Sequence, residues 1–95
     1  IDDWRESPTV KIISKLKKFY TVTYYDPYIS EIFINSKPFL SVKNLSYANL
    51  KNYSGIVIAT DHDYFNYNKI LKYSKIIFDT RNSFSGKFNK KIINC

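Results

Sequence analysis

The sequence predicts an α/β fold built on a mainly parallel sheet, and three observations support this prediction. Two short apolar runs, residues 56–59 and 76–78, are continuous rather than alternating, as expected of strands covered on both faces. Helical patterns alternate with these runs, which is typical of βαβ units. Polar clusters directly follow the predicted strands, where α/β sheets bind their ligands. The prediction is therefore a doubly wound α/β domain.

The first predicted element is a helix that begins at the Ser7-Pro8 pair. Serine can accept hydrogen bonds from the free N–H groups of the first turn, and proline suits the first helical position because its missing N–H costs nothing there. Apolar side chains then recur at helical spacing as far as Tyr20, with lysines on the other face. Residues 21–25 are β-branched and aromatic, and we predict a strand that the following Asp-Pro pair ends.

The later predicted elements are shorter than the first helix. In order, they are a loop at 28–38, a strand at 39–42, a weak helix at 46–53, the strand at 56–59, a helix at 67–72, the strand at 76–78 and an edge strand around Ile92-Ile93. Because no linker, repeat or low-complexity tract divides the chain, we expect residues 1–95 to form a single domain.

The formal charge of +7 points to an anionic partner: nucleic acid, a membrane surface or a phosphorylated ligand. The lysines are nevertheless spread along the chain, and abundant Lys, Asn, Ile and Tyr are also typical of an AT-rich genome. No apolar run approaches the roughly 18 residues that a membrane-spanning helix needs. The one cysteine, Cys95, cannot form an internal disulfide, which fits a reducing compartment. We therefore expect a cytoplasmic protein that does not insert into a membrane.

Arginine is rare in this chain: thirteen of the 15 basic residues are lysine, and only Arg5 and Arg81 are arginine. Guanidinium is a rigid fork that binds carboxylate or phosphate through two hydrogen bonds, whereas ammonium is a flexible point charge. Arginine is therefore expected where lysine would not serve. Structural ion pairs are the alternative, with Arg5 bound to Asp3 or Glu6 and Arg81 bound to Asp79.

Three polar clusters follow predicted strands: Asp26, residues 60–62 and residues 79–81. The carboxyl ends of parallel strands meet at one edge, so we expect the clusters on one rim of the sheet. Asp26 can instead serve only to cap a turn. His62, the only histidine, is more often a packing or hydrogen-bonding group than a catalyst, and with its aspartate neighbours it does not make a metal site. The two isolated glycines make neither a GxGxxG motif nor a P-loop.

Four motifs occur in order along the chain: DDWRESP at 2–8, YDPYI at 25–29, IATDHDYF at 58–65 and DTRN at 79–82. Together they resemble the C-terminal domain of the UDP-glucose/GDP-mannose dehydrogenases, over about residues 2–84. These enzymes use NAD to oxidise the sugar C6 alcohol to a carboxylate in two steps. The resemblance implies a Rossmann-like three-layer α-β-α domain that holds the nucleotide part of a UDP-sugar.

The resemblance also assigns roles to both arginines. Arg81 matches the motif arginine that contacts the UDP-sugar, and Arg5 matches the arginine that approaches NAD at the domain junction. A diphosphate suits a guanidinium, so the chemistry agrees. The pattern Thr60-x-His62-x-x-Phe65 is similar to the branch acting on UDP-N-acetylhexosamines, since UDP-glucose enzymes more often carry tryptophan at the position of His62. The resemblance thus implies a UDP-N-acetylglucosamine 6-dehydrogenase-like parent working in polysaccharide precursor synthesis.

The family's catalytic cysteine, assisting lysine and glycine-rich NAD motif belong to upstream domains, and Cys95 does not correspond to that cysteine. We therefore expect this chain to bind substrate but to contribute no catalytic residue and no metal ligand. Its expected partners are the upstream NAD-binding and central domains of the same polypeptide, within a homodimer or higher oligomer. The family's domain normally opens with a strand before the segment at 2–8, so we expect this chain to lack the first strand of the sheet.

Two other functions stay open on the sequence. A basic module that binds nucleic acid or an acidic partner would account for the charge and the aromatic content, but no recognition motif supports it and arginine is scarce. A stand-alone regulatory domain that senses a free nucleotide is the other alternative. A GxGxxG motif followed by a catalytic cysteine region in the upstream coding sequence would distinguish a dehydrogenase from that alternative.

Overall fold

A computed structural model describes residues 8–86 and 88–95 of the chain. The chain divides into two compact units, the first ending at Leu45 and the second beginning at Ser46. A single domain over residues 1–95 stays a prediction. The predicted Ser7 cap and Arg5 lie outside the described residues.

Helix α1 of the first unit spans Pro8–Leu16, so the predicted helix is confirmed at that position. It ends at Leu16 rather than at Tyr20, because a turn closes there: the N–H groups of Phe19 and Tyr20 both donate to the Leu16 carbonyl, at 3.0 and 2.9 Å. The apolar spacing therefore runs past the end of the helix. Phe19, assigned to the apolar face from its spacing, is 80% exposed.

A β-hairpin replaces the loop predicted at 28–38, which was wrong. Strand β1 (Glu31–Ile34) pairs antiparallel with strand β2 (Lys37–Leu40). The two-residue connection has positive φ at both Asn35 (52°) and Ser36 (66°), as in a type I′ turn. The sequence signal was weak because the second turn position, usually glycine in such turns, is serine here.

The core of the first unit lies between α1 and this hairpin. Ile13 of α1 and two hairpin residues, Ile32 and Ile34, are its buried members. Val22 and Tyr24 pack against it. No strand is assigned among the described residues 21–25, where one was predicted, and the Tyr24 carbonyl accepts a hydrogen bond from the Val42 N–H (2.9 Å). β-propensity measures how side chains pack on a half-buried surface, and Val22 and Tyr24 pack in that way.

Replacing Ser36 by glycine should stabilise the hairpin. A non-glycine residue in the left-handed region costs about 1–2 kcal/mol, and Ser36→Gly would relieve part of that strain, offset by the greater entropy of glycine in the unfolded chain. We expect the free energy of unfolding to rise by about 0.5–1 kcal/mol in urea titrations. Ser30→Gly, outside the turn, is the control and should not stabilise; a loss of stability in Ser36→Gly would contradict the turn assignment.

The second unit is a three-stranded parallel sheet in the order β3-β4-β5. Its strands are β3 (Ile56–Ile58), β4 (Ile77–Asp79) and β5 (Ile92–Asn94). Ile77 in the middle strand has no exposed surface, as the continuous apolar runs predict. The Rossmann-like α/β class with a mainly parallel sheet is confirmed, and so is the predicted edge strand.

Two helical segments accompany this sheet. A 3₁₀ helix, Ala48–Asn52, forms where the weak helix was predicted, and helix α2, Tyr67–Tyr73, connects β3 to β4. The Asn66 side chain caps the N-terminus of α2 by accepting from the Lys69 N–H (3.1 Å). At the other end, the Lys91 ammonium donates to the carbonyls of Leu71 (2.9 Å) and Lys72 (3.2 Å), which have no partner within the helix. Helix α2 is thus held at both ends.

No helix among residues 8–86 and 88–95 has the length and apolarity to cross a membrane.

Candidate functional site

The carboxyl ends of β3 and β4 lie side by side. Ile58 is in register with Asp79, and the next residue, Thr80, donates to the Ile58 carbonyl from both its N–H (3.2 Å) and its hydroxyl (2.7 Å). The clusters at 60–62 and 79–81 therefore leave the sheet at one edge, as predicted. Their loops are called here the His62 loop (residues 59–66) and the Arg81 loop (residues 80–86).

Asp26 was predicted to follow a strand of the sheet, and that prediction was wrong. Asp26 belongs to the first unit, and no strand of the described chain precedes it. Its carboxylate accepts from the N–H groups of Tyr28 (2.7 Å) and Ile29 (3.0 Å), so the alternative interpretation as a turn cap is confirmed. A cleft of about 190 Å³ lies beside this turn, lined by Tyr25, Asp26, Pro27, Ser30, Ser41, Val42 and Lys43.

Asp79 is a buried carboxylate, only 1% exposed. Its Oδ1 atom accepts from the Arg81 N–H at 3.0 Å and its Oδ2 atom from the Phe84 N–H at 3.4 Å. A buried carboxylate is costly unless it is hydrogen-bonded, and here the backbone of the Arg81 loop supplies the donors. The Asp79 side chain, at the end of β4, thus fixes the Arg81 loop at two backbone positions, Arg81 and Phe84.

The Arg81 side chain is exposed at this edge. Within residues 8–86 and 88–95, its guanidinium forms no ion pair, so the alternative of a structural pair with Asp79 is wrong: that carboxylate binds the Arg81 backbone instead. The loop is tightly curled, with positive φ at Asn82 (55°), Ser85 (51°) and Gly86 (77°). An exposed guanidinium on such a loop can bind an anion by donating two hydrogen bonds.

The His62 loop is tied to α2 by Tyr67, which the sequence analysis did not single out. The Tyr67 hydroxyl donates to Oδ1 of Asp61 at 2.6 Å and accepts from the His62 N–H at 3.2 Å. Burial, reinforced by the hydrogen bond to Asp61, raises the pKa of Tyr67 above its ordinary value of 10.0. A phenol is already protonated at physiological pH at its ordinary pKa, and the shift acts in the same direction, so the Tyr67 hydroxyl is a neutral donor.

Aromatic contacts connect the two loops through the same tyrosine. The His62 ring lies 5.7 Å from the Phe65 ring, which supports its interpretation as a packing group. Phe65 lies 6.1 Å from Tyr67, and Tyr67 meets Phe84 of the Arg81 loop edge-to-face at 5.6 Å. The described structure thus brings together Asp61, His62 and Arg81 as neighbours on one edge, joined by residues that sequence reasoning missed.

The described residues do not fit an NAD pyrophosphate site. Such a site needs glycines at a strand-to-helix turn, where the backbone can approach the phosphates. Gly55 precedes β3 instead, and a β-carbon built there would lie 3.3 Å from the Phe78 ring. Gly86 lies in the Arg81 loop, between two strands. Arg5, the residue predicted to approach NAD, lies outside the described residues. In the same described part of the chain, no group of three His, Cys, Asp or Glu residues could hold a metal ion.

Together, the parallel sheet and the exposed arginine at its carboxyl edge define a small α/β domain with the geometry of an anionic-ligand site. Residues 1–86 match the family model for the UDP-binding domain of the UDP-glucose/GDP-mannose dehydrogenase family. This chain belongs to that family. Neither the search of curated proteins nor that of solved structures found a match.

Proposed function

We propose that this chain is the substrate-binding domain of an NAD-dependent nucleotide-sugar 6-dehydrogenase, which oxidises the sugar C6 alcohol to a carboxylate. Family membership supports a UDP-sugar ligand. The observation that carries the proposal is Arg81, exposed and without an ion pair among the described residues, at the carboxyl edge of the parallel sheet. The substrate that we favour is a UDP-N-acetylhexosamine, because of the Thr60-x-His62-x-x-Phe65 pattern.

The proposed role of Arg81 is to bind the diphosphate. Its backbone N–H is bound by the buried Asp79 carboxylate, so the loop is placed before the ligand arrives. A donor that is already in place loses less conformational freedom on binding. A bidentate pair of charged hydrogen bonds is among the stronger polar contacts. This chain thus holds and orients the nucleotide while the sugar extends toward the reacting groups.

The remaining groups of the reaction are proposed to lie elsewhere in the polypeptide. NAD accepts the hydride when it is bound, and the upstream domains would hold it, with Arg5 approaching it from this chain. No residue of the chain is assigned a catalytic role. The proposed setting is polysaccharide precursor synthesis in the cytoplasm, by a homodimer or higher oligomer.

Ligand titrations test this proposal directly. We expect calorimetry on the intact protein to show that UDP binds at least about 10-fold more tightly than uridine, since a charged hydrogen-bonded contact contributes about 1.5–3 kcal/mol. Random-sequence DNA at the same salt concentration is the control for the basic-module alternative. Equal affinity for UDP and uridine would contradict the diphosphate contact. Reduction of NAD with UDP-N-acetylglucosamine but not with UDP-glucose would identify the sugar.

A further inference from the structure

Tyr67 contacts both loops of the candidate site, although it belongs to neither. Its hydroxyl binds the His62 loop through Oδ1 of Asp61 (2.6 Å) and the His62 N–H (3.2 Å). Its ring packs edge-to-face on Phe84 of the Arg81 loop, with the centroids 5.6 Å apart. The N–H of Phe84 in turn binds the Asp79 carboxylate, whose other oxygen accepts from the Arg81 N–H. A continuous set of contacts therefore runs from Asp61 to the backbone of Arg81.

We propose that Tyr67 is a positioning residue for substrate binding: it holds the His62 loop and the Arg81 loop in one arrangement, so that Arg81 meets the diphosphate in place. The inference rests on the proposed function, because it assumes that Arg81 binds the nucleotide. Tyr67 acts through the two loops and touches no ligand itself.

The chemistry explains why a tyrosine serves here. A phenol can donate to a carboxylate and accept from a backbone N–H at once, while its ring packs against another ring. Phenylalanine would keep a ring beside Phe84 but leave Asp61 and the His62 N–H without their hydroxyl partner, so the ring would no longer be fixed in one position between the two loops. A tyrosine hydroxyl is protonated at physiological pH, as a donor to Asp61 must be.

Tyr67 also stands on a fixed element. It is the first residue of α2, directly after the Asn66 cap. The Asn66 N–H donates to the hydroxyl of Tyr47 (2.9 Å), and Lys91 binds the carbonyls at the opposite end of the helix. A side chain on a held helix can restrain two loops more effectively than either loop can restrain itself.

Calorimetry with UDP and the Tyr67→Phe variant of the intact protein tests the inference. We expect UDP affinity to fall about 3- to 10-fold and uridine affinity to stay unchanged, because only the diphosphate contact depends on Arg81. In an Arg81→Ala background, Tyr67→Phe should cause no further loss, which is the coupling expected of residues acting on one contact. Tyr73→Phe is the matched control from the same helix, since its hydroxyl makes no hydrogen bond within the described residues, and it should leave UDP affinity unchanged.

The outcomes separate this inference from the proposed function. Unchanged UDP affinity in Tyr67→Phe, or a loss that simply adds to that of Arg81→Ala, overturns the positioning role while the UDP site stands. Absence of UDP binding in the unmodified protein overturns both. Should Tyr67→Phe fail to fold, Asp61→Asn weakens the same hydrogen bond at its other end and should lower UDP affinity in the same direction; no change in that variant overturns the inference.

Discussion

Replacing Arg81 by lysine should weaken UDP binding by about 10- to 150-fold, equivalent to about 1.5–3 kcal/mol. Lysine keeps the positive charge but lacks the planar guanidinium, so a bidentate contact with the diphosphate becomes a single hydrogen bond. The Arg81 side chain is exposed, and no ion pair holds it within the described residues, so the substitution should leave the free energy of unfolding within about 0.5 kcal/mol. Calorimetric titration with UDP measures the first quantity, and urea unfolding measures the second.

The control for Arg81→Lys is a charge at the other end of the sheet. Lys75 is exposed and lies just before β4, whereas Arg81 lies just after it. Lys75→Ala removes a full charge and should leave UDP affinity nearly unchanged at physiological salt, because exposed charges farther apart than about 8 Å are largely screened. A loss in Lys75→Ala equal to that in Arg81→Lys would indicate general attraction to a basic protein, and undiminished affinity in Arg81→Lys would remove the role assigned to Arg81.

Replacing Asp79 by alanine should lower the free energy of unfolding by about 2–5 kcal/mol. The carboxylate is 1% exposed and accepts from the N–H groups of Arg81 and Phe84, so alanine would leave both donors without this acceptor and open a small cavity. Urea unfolding monitored by tyrosine and tryptophan fluorescence measures the loss.

Asparagine at position 79 provides the matched comparison. It keeps the shape of the side chain and one acceptor oxygen, so we expect Asp79→Asn to be less destabilising than Asp79→Ala. Since the Arg81 N–H bond at 3.0 Å is shorter than the Phe84 bond at 3.4 Å, the remaining oxygen should turn toward Arg81. Equal stability of Asp79→Ala and the unmodified protein would show that the loop is held by other contacts.

The parallel sheet could be predicted from the sequence because a strand buried on both faces has a continuous apolar run of residues. Strands β3 and β4 appear as short continuous apolar runs, and each ends where polar residues begin. The position of Arg81 followed from the same rule, since a residue directly after such a strand must lie at the carboxyl edge. These features depend only on residues that are close together in the sequence, so one sequence is enough to predict them.

The first unit was harder to read because its pattern is ambiguous. Residues 31–34 alternate in burial as a strand should, but the run is short and its turn contains no glycine. Residues 21–25 have the stronger strand composition, yet the ladder forms within the hairpin instead. Local propensity differs by at most about 1 kcal/mol between residues, so the packing of α1 on the hairpin decides between such alternatives.

The sequence by itself determined the α/β class, the parallel strands, the placement of Arg81 at their carboxyl edge and, through its ordered motifs, the resemblance to the UDP-glucose/GDP-mannose dehydrogenase family. Only the tertiary structure decided that Asp79 binds the backbone rather than the guanidinium of Arg81, that Asp26 caps a turn, and that Tyr67 joins the two loops. The physical reason is the sequence separation over which each property is determined. Periodicity and strand ends are local properties of the chain, whereas a hydrogen bond between a tyrosine and a carboxylate six residues away, or a ring contact with another loop, exists only once the backbone has folded around both partners.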